Sequence, residues 1–96
     1  MSQTIPDIIV PSDQFIDINT LSGVIVGATC TILNKGNYNI VLQESVLQPS
    51  ASSEDGVLIT NVYSPHARAD IRAGSIKVWA RTLGTDVSCK INVQSV

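Results

Sequence analysis

Ninety-six residues give room for one domain, and only 15% of them are charged, against about 25% in an ordinary soluble domain. The formal charge is −2, and the six basic residues (Lys35, Arg68, Arg72, Lys77, Arg81, Lys90) are scattered. With four aromatics beside them, they form neither the basic stripe nor the stacking platform that nucleic-acid binding requires. The longest apolar stretch, Val24-Ile25-Val26-Gly27-Ala28, is far too short to cross a bilayer.

The N-terminal stretch lacks the basic start of a secretory signal and is interrupted by Pro6 and Pro11, so synthesis in a cytoplasm is expected. The two prolines fix φ and remove backbone donors, so residues 1–13 are expected to form an extended arm ahead of a single β domain over 14–96. Between the prolines lies an apolar run, Ile8-Ile9-Val10, expected to dock on a neighbouring subunit rather than fray.

Strand signals follow at regular spacing. Gln14–Ile18 alternates and predicts a first strand, with a turn over Asn19–Gly23. Residues 28–43 predict a β-hairpin: Cys30 and Ile32 share one face, Asn34-Lys35-Gly36-Asn37 supplies the turn, and Tyr38–Gln43 returns. Residues 48–56 have the composition of a contact-bearing loop, and strand character resumes over Gly56–Tyr63. Residues 67–72 alternate small or apolar with charged side chains, the pattern of a protected edge strand. In Ser75–Arg81, Ile76, Val78 and Ala80 share one face while Lys77, Trp79 and Arg81 share the other. The last strand puts Val87, Cys89, Ile91 and Val93 on one side and Ser88, Lys90, Asn92 and Gln94 on the other. No amphipathic helix stands out. Turns every 8–12 residues predict an all-β fold, a small antiparallel β-sandwich or β-barrel of about 7–8 short strands.

Chemistry-bearing patterns are sparse. The spacing of Gly23 and Gly27 lacks the Lys-Ser/Thr ending of a phosphate loop. The single histidine, His66, sits in a turn with no carboxylate at a telling spacing, and reads as a surface residue. The acidic residues lack a calcium-loop spacing. Cys30 and Cys89 form no metal motif and are read either as buried thiols or as one inter-strand disulfide, with a cytoplasmic origin favouring thiols. A non-enzyme with no cofactor and no metal is expected.

Trp79 is the most informative side chain. If Ile76, Val78 and Ala80 face the core, Trp79 points outward between Lys77 and Arg81, as an interface anchor or a stacking site for a sugar. The expected protein interface is therefore Ile8, Ile9, Val10, Lys77, Trp79 and Arg81. The alternative is a carbohydrate- or receptor-binding module, with Trp79, Tyr63 and Tyr38 as its stacking residues.

Val26–Gly36, Leu47-Gln48-Pro49-Ser50, Ala73–Arg81 and the closing Val87–Gln94 together resemble small tailed-bacteriophage virion proteins. The resemblance covers roughly residues 14–94 and is carried by turn and strand signatures. It implies a structural role in the virion, such as capsid decoration or an accessory at the neck, tail or fibre, with phage capsid or tail proteins as partners. On the alternative reading, the carbohydrate- or receptor-binding module belongs to a phage fibre or tail. It carries no catalytic residues over. A homo-oligomer, with a trimer favoured, is the expected state.

Overall fold

The structure is a computed structural model that describes residues 5–50, 56–61, 67–72, 74 and 76–95. In chain order the elements are β1 (Ile8–Pro11), β2 (Ile16–Asp17), α1 (Ile18–Ser22), β3 (Cys30–Asn34), β4 (Ile40–Glu44), β5 (Val57–Ile59), β6 (Arg68–Ile71), β7 (Val78–Thr82) and β8 (Ser88–Ser95). They form two four-stranded sheets, ordered β1-β8-β3-β6 and β2-β7-β4-β5. Every pairing is antiparallel. This is a small β-sandwich.

Strand alternation builds the core. β3 turns Cys30 and Ile32 inward, β8 turns Cys89, Ile91 and Val93 inward, and from the facing sheet come Ile40, Leu42, Ile59, Val78 and Ala80. Each fully buried branched side chain contributes roughly 1.5–3 kcal/mol relative to exposure. Charged β6 lies at a sheet edge and β8 alternates as its sequence predicts.

Three local expectations are corrected. First, residues 28–43 are not a hairpin. β3 and β4 lie in different sheets, and residues 35–39 cross between them. The cause is Asn34, which is fully buried. Its Oδ1 accepts from the Gly36 N–H at 2.8 Å, while its Nδ2 donates to the Tyr38 carbonyl at 2.8 Å and the Thr60 carbonyl at 3.1 Å. These bonds steer the chain toward the opposite sheet. Second, the strand predicted over 14–18 shrinks to the two residues of β2, and a short helix follows. The Asp17 carboxylate accepts from the Thr20 N–H at 3.2 Å and caps α1, and Gly23 ends it at φ +79°. Third, the arm expected over 1–13 is, from Ile8 onward, an edge strand of the domain itself. β1 pairs with β8 along four residues, Ile8 with Ile91 through Pro11 with Ser88. Ile8 and Val10 face the core, so of the apolar run only Ile9 points outward, at 62% exposure.

Candidate interaction surface

β2 runs toward Val78 and into α1, β4 ends at Glu44, β6 ends at Ile71, and β3 and β7 begin at Cys30 and Val78. The registers Cys30 with Ile71, Glu44 with Val78 and Asp17 with Trp79 bring these termini to one end of the sandwich. Their loops are tied together by main-chain bonds from Gly74 N to Gly27 O (2.8 Å) and from Ser45 N to Lys77 O (2.9 Å). Buried Asn19 adds a third tie: its Oδ1 accepts from Val78 N at 2.8 Å and its Nδ2 donates to Val24 O at 3.1 Å.

On this braced end stand Leu21, Ile25, Val26, Val46, Leu47 and Ile76, each between 45% and 79% exposed. Six exposed side chains of this size present on the order of several hundred Å² of apolar surface. Exposed apolar surface on that scale is often functional. In the sequence Val24-Ile25-Val26 stands out only as part of the longest apolar stretch, and this surface was not expected from it. The available signal was an apolar triplet closed between Gly23 and Gly27, too short for a strand with a turn at each end, and Val46-Leu47 just ahead of Pro49.

Trp79 flanks this end. It is half-buried; its indole N–H donates to the Ser45 carbonyl at 2.9 Å, and Lys77 Nζ lies 5.6 Å from the ring centroid. Lys77 also pairs with Asp17 at 2.9 Å. Burial works to raise the Asp17 carboxyl but is outweighed by hydrogen bonds from Lys77 and Thr20, which hold it below the usual carboxylate range. Trp79 is thus a braced corner rather than a free anchor.

Arg81 departs from expectation. Its side chain shares the outer sheet face with Trp79, yet it is 7% exposed. The segment before β2 roofs that face: Arg81 donates to the Ser12 carbonyl at 3.2 Å, lies 5.6 Å from the buried Phe15 ring, and sits in register with buried Val41. Gln48 fastens the roof by donating to the Phe15 carbonyl at 2.8 Å. Arg81 is therefore held within the covered sheet face rather than presented at the surface.

The proposed stacking residues do not converge. Tyr38 lies in the 35–39 crossover, where its N–H donates to Cys89 Sγ at 3.3 Å. Trp79 is level with Gln43, five positions further along the chain, on the order of 15 Å away at ~3.4 Å per residue. Tyr63 and His66 lie outside the described residues. Among the described residues, no group of three His, Cys, Asp or Glu side chains is placed to hold a metal ion, and no helix is long and apolar enough to cross a membrane.

A comparison with protein-family models, with curated proteins and with solved structures finds no match to the chain. The resemblance to tailed-phage virion proteins thus carries no family assignment.

Proposed function

We propose that this protein is a non-catalytic structural module that docks the apolar end of its sandwich onto an assembled protein complex. The observation that carries the reading is the grouping of Leu21, Ile25, Val26, Val46, Leu47 and Ile76 on α1 and on loops braced to one another. Interface centres are depleted in charge and rich in apolar side chains, and a preformed surface loses little conformational entropy on binding. The low charge of the whole chain fits the same use.

The sequence resemblance points to a virion as the setting: a decoration or neck–tail accessory made in the host cytoplasm and bound to capsid or tail subunits. Each bound copy would stabilise the particle by mass action. The test combines light-scattering molar mass with co-sedimentation on purified tailed-phage particles. Co-sedimentation that falls about tenfold or more in Ile25→Asp and Leu47→Asp, with circular dichroism unchanged, is the expected result. Equal co-sedimentation of wild type and both variants would overturn the docking surface, and a chain that ignores the particles would overturn the setting.

A further inference from the structure

Four strands edge the two sheets, and three carry a residue that discourages pairing with another chain. β1 ends in Pro11, β2 contains Asp17, and β6 carries Arg68 and Asp70, themselves an ion pair at 3.3 Å. Proline and charge are the usual means of protecting an edge. The fourth edge, β5, reads Val57-Leu58-Ile59 and has neither. Val57 and Leu58 are 60% and 48% exposed, and among the described residues β5 pairs only with β4.

Beside this bare edge, a groove of about 590 Å³ opens at the flank of the sandwich between β5 and β6. Its floor is made by the core residues Leu42 and Val78, and Val57 and Ala69 line its walls. Glu44 and Arg72 also line it, and neither is in an ion pair among the described residues.

We propose that β5 and this groove receive an extended segment of a partner polypeptide. The segment's backbone adds as a fifth strand to the β2-β7-β4-β5 sheet, and its alternate apolar side chains enter the groove. A second copy offering its own β5 does not meet this need. Of the positions on that face of a second copy's β5, Ile59 is fully buried in its own core and only Val57 is exposed, so pairing β5 with β5 fills the groove at one position at most. The occupant is instead a strand whose apolar side chains are free, with an acidic residue for Arg72 and a basic one for Glu44. The groove reaches the apolar end at Glu44, Gly74 and Val78, but none of the six exposed apolar side chains of that end lines it, so substitutions among those six and in the groove test the two surfaces separately.

The test is a titration of the full chain, followed by amide NMR shifts and hydrogen exchange. The probe is a capped octapeptide in which valine and threonine alternate between a terminal lysine and a terminal glutamate. Saturable shifts at residues 56–59 and 68–72 and at the groove-lining Leu42, Glu44 and Val78, with β5 amide exchange slowed about tenfold at saturation, are expected. Ala69→Leu fills the groove and should weaken binding by about tenfold or more. Val57→Lys, at an exposed position where folding is not at risk, should do the same, while Leu47→Asp at the apolar end should leave binding unchanged. Absence of saturable shifts at millimolar peptide, or binding that survives both groove variants, would overturn the proposal.

Discussion

The Asn34 carboxamide, fully buried at the end of β3, donates to the carbonyl of Thr60 at 3.1 Å and so ties one sheet to the chain leaving β5 in the other. The same side chain accepts from the Gly36 N–H and donates to the Tyr38 carbonyl, which makes it the pivot of the crossover. Replacing it by alanine leaves a cavity and several buried polar groups without partners. Such losses cost about 1–3 kcal/mol for each unsatisfied group. Asn34→Ala is expected to destabilise the domain by about 2–4 kcal/mol, a fall of roughly 10–25 °C in melting temperature for a domain of this size. Thermal unfolding followed by circular dichroism checks it; a change within about 0.5 kcal/mol would mean the carbonyls find other partners.

The Asp17 carboxylate caps α1 and pairs with Lys77, and the two roles separate by mutation. Asn at this position keeps the capping oxygen and loses the charge; Ala loses both. Asp17→Asn should cost about 0.5 kcal/mol, in line with a partly exposed ion pair, and Asp17→Ala about 1–2 kcal/mol. The folded carboxyl titrates below its ordinary value of 3.8, so its contribution is present above that pH. That contribution is lost as pH falls through the lower, folded value. Urea unfolding at a series of pH values between about 2 and 6 should therefore show a shallower acid loss in Asp17→Asn than in wild type. Identical acid slopes would show that the pair contributes nothing.

What the sequence discloses about this fold is mostly a matter of faces. Alternation over Val87–Val93 and the charged pattern of Arg68–Ile71 identify an inward face and an edge, because a strand repeats every second residue. Alternation does not say which sheet a strand joins. The partition of β3 and β4 between sheets depends on bonds from Asn34 to Tyr38 and Thr60, and the second of these is 26 positions away in sequence. Arg81 shows the same limit. Its register on β7 reads as solvent-facing, and only the return of Ser12 and Phe15, more than 60 positions upstream, covers it. The apolar end escaped notice because its side chains come from the short helix α1 and from three separate loops, each too short to show a period.

Gly36 lies against Cys89 closely enough that a β-carbon there would stand 2.5 Å from the thiol sulfur and 2.7 Å from the Cys89 β-carbon. Neither neighbour is the far end of a flexible side chain, since Cys89 is buried on central strand β8 and its Sγ also bonds with the Tyr38 main chain. Gly36→Ala is expected to cost about 1–3 kcal/mol by overpacking. Chemical denaturation measures the loss, and the same variant should show disturbed NMR shifts at Tyr38 and Cys89. Full stability in Gly36→Ala would mean that the crossover moves aside freely.

Cys30 and Cys89 are both buried free thiols. Cys30 is in register with Ser95 on β8, six positions from Cys89, about 20 Å along the strand at ~3.4 Å per residue. A disulfide needs α-carbons within about 7 Å, so no bond forms between them in the folded chain. Burial pushes the Cys30 thiol above its ordinary pKa, which lowers the thiolate fraction available to a reagent. In native buffer, both thiols should react with a thiol-specific disulfide reagent at least about a hundredfold more slowly than a free cysteine, and both should react at once in denaturant. Without reductant, mass spectrometry should find the unbridged mass. A mass two units lower, or fast native labelling of both residues, would contradict the placement of β3 and β8 side by side in this register.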